Sequence, residues 1–378
     1  MTREMYSGIR ENANFNKQLL RILPERVKRT YFGGREIDKF MGTSDGDGEY
    51  PEMWIASTVS ANGSNPDEGL SKAVSYSELF MLKELIQKDP VGLLGKSHYM
   101  GGYGDNPGIL VKMIDALNRL TIQVHPDLTF AKKIFGSDYG KTEGWYILNT
   151  RIDLLEEPYI LLGFKKGITK EKWKKIMISQ DVREMTDCLH KFPVCPGDIF
   201  FVEGGVPHAI GPGCCLLEIQ EPTDYTLRAE MRTPEGKLLS ERLIHQGAGF
   251  ENLYDCFHYD GMSKEEAMRK WKLKARICEE PELQSTSIFS EKFTKTFGME
   301  RMVITGDYWK REHNRFTIAF VLHGTGRVET VSQSEMLSRG DILFIPAGVA
   351  ETLWKAINSP LDIILCYPAL KKRQTDGC

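Results

Sequence analysis

Several features are absent from this chain of 378 residues, and each absence excludes a class of protein. No apolar run reaches the roughly 18 residues that a membrane-spanning helix needs, so no membrane partner is expected. The net charge of −3 leaves no basic excess, which argues against nucleic acid as a partner. The N-terminal residues are polar and give no secretory leader, so we expect a cytoplasmic protein.

Cysteine motifs are also lacking. The eight cysteines are scattered without CxxC spacing, apart from the adjacent pair Cys214-Cys215. We therefore expect reduced thiols, with neither a disulfide framework nor a cysteine zinc site. The length of 378 residues favours two or three modules, and the 41% hydrophobic and 27% charged content is ordinary for a globular chain.

What the chain does contain is a duplicated segment. The first copy reads GDIFFVEGGVPH from Gly197 to His208, and the second reads GDILFIPAGVAE from Gly340 to Glu351. The two copies align without a gap, which indicates a repeated unit of a turn, a short strand and a glycine-containing turn. Because only the first copy ends in a histidine, one unit is predicted to bind a metal and the other to be a metal-free scaffold copy.

The remaining pattern predicts a mainly β protein with helical insertions. Helices are expected at residues 10–30, 76–88 (with Ser75 as the cap), 128–140, 168–191 and 263–272. Short β-type runs separated by turns dominate from residue 192 and again over 283–370, and this spacing favours jelly rolls or barrels. We divide the chain into an N-terminal helical arm (1–30), a catalytic β domain with helical insertions (31–260) and a C-terminal metal-free domain (261–378).

Four residues form a candidate metal site. Gln123 and His125 alternate on a predicted strand, so their side chains should share one face. Glu143 follows in the segment GKTE, and His208 ends the first copy of the repeat. A mixed nitrogen and oxygen donor set without thiolates suits zinc or another divalent first-row ion with one open position. A lone histidine is usually a satisfied core or surface group, so the remaining histidines are left unassigned.

These motifs together resemble the class I mannose-6-phosphate isomerases of the short bacterial type. The first copy also has the glycine and histidine spacing of a cupin motif, and the similarity runs from about residue 30 to the end. The matching segments are QVHP at 123–126, GKTE at 140–143, PHAIG at 207–211, EIQ at 218–220 followed by Asp224 and Arg228, Gly33-Gly34, and Glu52-x-Trp54.

The resemblance implies a fold, a cofactor and an activity. The fold would be two cupin-type jelly rolls, an internal duplication with helical insertions. One divalent metal ion, zinc above all, would be held by Gln123, His125, Glu143 and His208. The activity would be the interconversion of mannose 6-phosphate and fructose 6-phosphate, so the expected partner is a small-molecule sugar phosphate, and the oligomeric state stays open.

The resemblance also assigns roles to other residues. An aldose–ketose exchange moves a proton between C1 and C2 through an enediol, while negative charge builds on the sugar oxygens. Glu218 is the candidate base, Lys141 a proton relay or electrostatic group, and Arg228 a stabiliser of negative charge. Thr121 stands where the family has a serine close to the substrate phosphate, and Trp54 is expected to bind substrate.

The chain departs from the family around Arg228. Leu227, Glu230 and Met231 replace residues that are usually polar or aromatic there, and Glu230 would disfavour a phosphate if it faced the pocket. Three alternatives therefore stay open. They are an isomerase of free mannose or a related sugar, a non-catalytic sugar-binding cupin with a regulatory role, and a metal oxygenase, which the glutamine ligand disfavours.

Overall fold

The protein is described here from a computed structural model, which covers residues 14–370 except 45, 62–64, 76–77 and 312–313. Its strands form four antiparallel sheets, and its helices are short. This confirms the expected mainly β class. The helices are α1 (Arg35–Met41), α2 (Leu82–Lys88), α3 (Pro90–Leu94), α4 (Lys96–His98), α5 (Leu128–Phe135), α6 (Lys170–Ser179), α7 (Val182–Asp187), α8 (Glu241–His245), α9 (Phe250–Cys256) and α10 (Lys264–Trp271).

Two of the sheets build the first jelly roll. The five-stranded sheet runs in the order β10 (Leu189–Pro193), β9 (Tyr159–Phe164), β12 (His208–Ile210), β7 (Gln123–Val124) and β14 (Leu227–Arg228). The seven-stranded sheet runs in the order β15 (Lys272–Leu273), β11 (Ile199–Val202), β8 (Glu143–Thr150), β13 (Cys214–Gln220), β6 (Leu110–Asp115), β3 (Glu52–Ile55) and β2 (Glu25–Val27).

The other two sheets build the second jelly roll. The nine-stranded sheet runs in the order β16 (Arg276–Glu280), β17 (Leu283–Phe289), β18 (Phe297–Ile304), β25 (Leu361–Pro368), β20 (Thr317–His323), β23 (Ile342–Ile345), β1 (Leu20–Leu23), β4 (Lys72–Ser75) and β5 (Glu78–Met81). The four-stranded sheet runs in the order β19 (Asp307–Arg311), β24 (Glu351–Ala356), β21 (Thr325–Glu329) and β22 (Ser334–Ser338).

Alternation along the strands divides the buried side chains among separate layers. In β13, Leu216 packs with side chains of the five-stranded sheet, whereas Leu217 and Ile219 pack with residues of the nine-stranded sheet. Successive strand residues point to opposite faces, so the seven-stranded sheet is covered on both sides. One of its faces lines the interior of the first jelly roll, and the other packs against the second.

The predicted duplication is present in the backbone. The strand β11 spans Ile199–Val202 and its counterpart β23 spans Ile342–Ile345, while β12 begins at His208 and β24 at Glu351. The turns match as well, because Gly197 and Gly340 have φ angles of 93° and 89°. At such angles a Cβ would be strained, which explains the glycine in both copies.

The helix predicted over residues 10–30 is wrong for the part that the structure describes. Only Phe15–Lys17 forms a helical turn, of the 3-10 type, and β1 and β2 follow it. Leu20 and Ile22 are buried whereas Leu23 is exposed, which is strand alternation. Pairing of β1 with both β23 and β4 outweighed the local helical pattern. The remaining residues of the predicted arm, 1–13, lie outside the described residues.

The other helix predictions have mixed outcomes. The helix expected from residue 76 begins only at Leu82, because Ser75 and Glu78 pair across a hairpin instead of forming a capping box. Residues 76–77 lie outside the described part. The predicted capping box at Ser263 and Glu266 is confirmed at the start of α10. Helices α5, α6 and α7 confirm the helical stretches at 128–140 and 168–191, although β10 occupies the end of the latter.

The expected domain boundaries at residues 30 and 260 stay a prediction. The strands β1, β4 and β5 precede residue 82 in the chain, yet they complete the nine-stranded sheet of the second jelly roll. Among the described residues, no helix is long and apolar enough to cross a membrane.

Candidate metal centre and active site

Three of the four predicted ligands converge inside the first jelly roll. Glu143 Oε2 lies 3.3 Å from His125 Nε2, and Glu143 Oε1 lies 3.3 Å from His208 Nε2. One potential ligand atom from each of the three side chains lies within 4.8 Å of the others. All three side chains are buried. Such a compact group of two imidazoles and a carboxylate is a suitable cage for a divalent ion.

Gln123 adjoins this group because of strand pairing. In the five-stranded sheet Gln123 lies opposite His208 on one side and Arg228 on the other. Its Nε2 is 3.2 Å from His208 Nε2. The strand β7 spans only Gln123–Val124, so His125 lies just beyond the strand rather than within it. The structure thus brings all four predicted ligands together.

The second nitrogen of each imidazole is already occupied. His125 Nδ1 lies 2.7 Å from the carbonyl oxygen of Tyr225, and His208 Nδ1 lies 2.9 Å from that of Val206. If each Nδ1 donates to its carbonyl, each Nε2 keeps a lone pair for a metal, an arrangement common around metal-bound histidines. Burial lowers the pKa of His125 to about 4 and also lowers the pKa of His208, so both rings are neutral, as ligands must be.

Lys141 lies directly beside the ligands. Its Nζ is 2.9 Å from His125 Nε2 and 2.5 Å from Glu143 Oε2. Burial disfavours the charged form of Glu143, but Lys141 and His125 outweigh that effect and hold the pKa of Glu143 well below its ordinary value. The carboxylate is therefore ionised and ready to bind a cation.

Glu218 faces a cavity next to this centre. The cavity is lined by Lys112, Thr121, Gln123, Lys141, Glu218 and Arg228, among others. Glu218 accepts a hydrogen bond of 3.0 Å from Trp145 Nε1, and Lys112 Nζ lies 3.2 Å from its other oxygen. Lys112 and Trp145 are its cross-strand neighbours on the two adjacent strands, so pairing sets this contact. Trp145 also packs edge-on against His208 and links the two parts of the site.

A further ionic network borders the cavity. Glu52 accepts hydrogen bonds from Tyr31 and Trp54, and Arg29 Nε lies 2.9 Å from its Oε2. Arg29 also binds Asp224, with its Nη2 at 3.0 Å from Oδ1. Lys112 is the neighbour of this group, at 4.0 Å from Glu52. Glu52 and Asp224 thus hold the Arg29 side chain at the cavity wall, and Glu52 is also close to Lys112.

Arg228 differs from the other cations of the cavity. Its Nη1 donates to the carbonyl oxygens of Thr226 and Leu243, and its buried Nε has no hydrogen-bond partner. Among the described residues it forms no ion pair with a carboxylate. Burial, with the nearby charge of Arg29, lowers the pKa of Arg228 to about 10. A half-buried guanidinium that contacts no carboxylate directly is a site for an anionic ligand group.

The two other predicted substrate contacts have different positions. Thr121 is buried at the cavity wall, so its hydroxyl can meet a ligand there. Trp54 is fully buried and is absent from the cavity lining. Its ring lies behind the cavity, 5.1 Å from the guanidinium of Arg29 and 4.9 Å from Lys112 Nζ. Trp54 therefore supports the cationic wall instead of touching a substrate directly.

Glu230 does not face the pocket, which removes the objection raised by the sequence. Its carboxylate binds Arg119 at 2.6 Å and accepts the backbone N–H of Ile122 at 2.6 Å. Leu227 and Met231 pack into the apolar cluster on the outer side of the five-stranded sheet. Strand alternation thus turns Leu227 away from the cavity and leaves Arg228 facing it. Glu230 lies beyond the end of β14 and is held instead by Arg119 and the backbone of Ile122.

Lys112 and Arg29 are site residues that sequence reasoning missed. Lys112 lies in the stretch Leu110–Asp115, in which all six residues are buried. A lysine is almost never fully buried unless it is paired, so its place in an otherwise apolar run was a usable signal. Arg29 had no such signal, because its partners Glu52 and Asp224 are distant in sequence.

Comparisons with known proteins agree with this geometry, although no family model matches the chain. A mannose-6-phosphate isomerase of Streptococcus mutans is 26% identical over 354 residues, which is 92% of this chain and 97% of that protein. The probable mannose-6-phosphate isomerase GmuF of Bacillus subtilis is 28% identical over 260 residues, covering 69% of this chain and 75% of that protein. The resemblance to mannose-6-phosphate isomerases is confirmed.

Solved structures confirm the fold. The crystal structure of the mannose 6-phosphate isomerase from Bacillus subtilis superposes with a TM-score of 0.73 at 20% identity, covering 93% of this chain and all of that one. A zinc-bound mannose 6-phosphate isomerase superposes with a TM-score of 0.71 at 14% identity, again over 93% of this chain. At these identities the structural likeness bears on the fold, and the jelly-roll architecture is thereby established.

Proposed function

We propose that this protein is a metal-dependent aldose–ketose isomerase that interconverts mannose 6-phosphate and fructose 6-phosphate. One observation carries the proposal. The cluster of His125, Glu143 and His208 adjoins a cavity, and Gln123 and Lys141 belong to both. The same cavity is lined by Glu218, a carboxylate that can move a proton, and by Arg228, a cation without an ion pair to a described carboxylate. A sugar phosphate needs all three features in one place, and the relatives named above carry the same activity in their names.

The metal centre is proposed to hold one zinc ion through Gln123, His125, Glu143 and His208. When bound there, the ion supplies Lewis-acid polarisation of the sugar oxygens. The donor set favours zinc because it combines imidazole nitrogen with oxygen and contains no thiolate. Lys141 would remain beside the ligands as a fixed positive charge that also disfavours protonation of Glu143.

Glu218 is proposed to be the general base. In the direction from aldose to ketose it would remove the proton from C2 and return it to C1, while a second proton passes from the C2 hydroxyl to the C1 oxygen, so no net proton is consumed. Its Oε1 is buried 3.2 Å from Lys112 Nζ but accepts no hydrogen bond, so this oxygen can take up a proton. Trp145 holds the other oxygen in place. Lys112 and Lys141 would stabilise the negative charge that develops on the enediol oxygens.

Arg228 and the Thr121 hydroxyl are proposed to bind the phosphate. An arginine that forms no ion pair gains more from a phosphate than one already paired with a carboxylate, because Arg228 otherwise meets only two carbonyl oxygens. This argument favours the phosphorylated sugar over free mannose. An uncharged sugar would leave the Arg228 guanidinium at the cavity wall without an anionic partner.

The proposed substrate also indicates the cellular location of the protein and the kind of ligand that it binds. A sugar phosphate is a metabolite of the cell interior, so we place the protein in the cytoplasm and take a small molecule as its ligand. The first jelly roll would be the catalytic unit. The second would contribute rigidity and would carry no metal.

The deciding experiment is turnover by one zinc-loaded preparation on mannose 6-phosphate and on free mannose at neutral pH. We expect a preference for the phosphate of at least about a hundredfold in kcat/KM, equivalent to two charge-assisted hydrogen bonds. Removal of the metal with a chelator should abolish turnover, and added zinc should restore it. Equal turnover of free mannose would favour a mannose isomerase. Binding of the sugar phosphate without turnover would favour the regulatory cupin.

A further inference from the structure

The strand β16 forms the free edge of the nine-stranded sheet. It pairs with β17 on one side, and no described strand pairs with it on the other. All five of its residues are exposed, and the Ile277 side chain has 59% of its surface accessible. An exposed edge of this kind is a template for pairing with another chain unless the sequence prevents it.

The backbone of this edge is suited to receiving a strand. Glu280 and Leu283 close a two-residue turn of Pro281 and Glu282, and Glu282 has a φ of 64° as a type II turn requires. The closing pair Glu280 and Leu283 exchanges hydrogen bonds across the hairpin. Because hydrogen-bonded and non-hydrogen-bonded pairs alternate along the strand, the N–H and C=O groups of Ile277 and Glu279 point away from β17. Those outward groups are available to a partner.

Charged side chains usually prevent an edge strand from pairing with another chain. Here they are arranged so that each would meet an opposite charge on a second copy of the strand. The strand reads Arg-Ile-Cys-Glu-Glu from Arg276 to Glu280. If two copies run antiparallel about a two-fold axis at Cys278, Arg276 of one faces Glu280 of the other, and Ile277 faces Glu279. Among the described residues, neither Arg276 nor Glu280 has an ion pair within its own chain.

We propose that this protein forms a two-fold dimer by antiparallel pairing of β16 with β16 of a second copy, with Cys278 opposite its equivalent. The register follows from charge. A slide of two residues in one direction places Glu279 opposite Glu279, and like charges in that position are destabilising. A slide of two residues in the other direction places Ile277 opposite Ile277 and Arg276 opposite Cys278, so Arg276 has no opposite charge across from it. Centring at Cys278 is the register that pairs all five residues with both charge pairs favourable.

The proposed contact does not involve the active site. The metal cluster lies within the first jelly roll, whereas β16 is the edge strand of a sheet that belongs to the second. The interface is also small, so we expect a weak dimer that is populated at high protein concentration. Failure of this inference would leave the proposed function untouched, and loss of isomerase activity would not affect it.

Thiol cross-linking tests the geometry directly. In a variant with Cys195 and Cys378 replaced by serine, Cys278 is an exposed thiol, and a short bis-maleimide should join two chains through it. Directly opposed residues of a pair that does not exchange hydrogen bonds have Cα atoms about 4.5 Å apart, so the reaction should be efficient. The additional change Cys278→Ser should abolish the product. A cross-linking yield no higher than that of random collision would overturn the proposal.

Charge exchange tests the register. Arg276→Glu alone or Glu280→Arg alone places like charges opposite each other and should lower the cross-linking yield about tenfold. A mixture of these two single variants should recover it as a heterodimer, because each glutamate then faces an arginine. The exposed Arg183→Glu change, far from this edge, serves as a control and should leave the yield unchanged. A mixture that stays as low as either single variant would rule out this register.

Discussion

The two jelly rolls of this protein share one backbone plan but have opposite interiors. In the first, Val202 pairs with Glu143 and Phe200 pairs with Trp145. In the second, the counterparts Ile345 and Leu343 pair with Thr317 and Ala319. By the same pairing, Leu365 occupies the place of Glu218. Glu143, a proposed metal ligand, and Glu218, the proposed base, are thus replaced by small or apolar side chains in the second unit.

This difference separates function from stability. Burying the charges of Glu143, Lys141 and Glu218 destabilises the fold unless each charge is paired. The first unit keeps these residues because each has a partner of opposite charge nearby. The second unit fills the same space with Val328, Leu365 and Trp354, which are buried completely and stabilise the fold by apolar packing. Duplication therefore allows one copy to carry chemistry while the other provides a well-packed core.

The largest effect is expected from replacing His208, the histidine that the second jelly roll lacks. His208→Ala should lower zinc affinity by at least about a hundredfold, because even supporting groups of a metal site change affinity by 10–100-fold. Activity should fall with the metal content. The matched control is Glu351→Ala at the equivalent place in the second unit, where the side chain is exposed. Elemental analysis and turnover measurements on both variants test this prediction. Full zinc content in His208→Ala would mean that the metal binds elsewhere.

Glu218→Gln should separate chemistry from metal binding. The amide keeps the shape and the contact with Trp145 but cannot accept the proton, so turnover should fall by roughly two to four orders of magnitude. Zinc content should stay near that of the unaltered protein. Steady-state kinetics together with metal analysis provide the test. Undiminished turnover would remove Glu218 from the proton-transfer role.

Arg228→Ala should affect the choice of substrate more than the chemistry. One or two lost charge-assisted hydrogen bonds of roughly 1.5–3 kcal/mol each correspond to at least about a tenfold lower kcat/KM for mannose 6-phosphate. Free mannose should be affected much less, so the preference for the phosphate should narrow. Arg228→Lys keeps the charge but loses the paired N–H groups of the guanidinium. Its kcat/KM for mannose 6-phosphate should lie between those of Arg228→Ala and the unaltered protein. An equal loss on both sugars would mean that Arg228 supports the fold instead of the phosphate.

Local motifs with strict spacing were predictable from the sequence. Each copy of the repeat, the pair Gln123 and His125, and the capping box of α10 depend on residues a few positions apart, and the structure contains all of them. Glu143 and His208 lie 18 and 83 residues after His125, and their place beside it was implied by the family resemblance. Arg29 and Lys112 were not predictable in the same way. They belong to the site because β2, β3 and β6 lie side by side, which brings Glu52 next to cations that are 23 and 60 residues away in the chain.

The N-terminal segment was misread for the same physical reason. The apolar residues around Leu20 fit a helical spacing when read alone, but two neighbouring strands supply backbone partners for β1. Long-range pairing overrides weak local propensity. The concern about Glu230 was wrong for the same reason, because its partners Arg119 and Ile122 are more than 100 residues away in the chain.

The smallest effect is expected from an attempt to convert the second unit. Glu351→His restores the histidine that the alignment lacks, yet the zinc content should remain at one ion per chain. The reason is that the second unit has Thr317 where the first has Glu143, and position 351 is solvent-exposed, so a single imidazole would have no carboxylate beside it. Activity should be unchanged, and the free energy of unfolding should change by no more than about 0.5 kcal/mol, as for most surface substitutions. Elemental analysis and a denaturant titration would measure both quantities. A second stoichiometric zinc ion would show that a single ligand distinguishes the two units, and that the apolar filling of the second does not prevent metal binding.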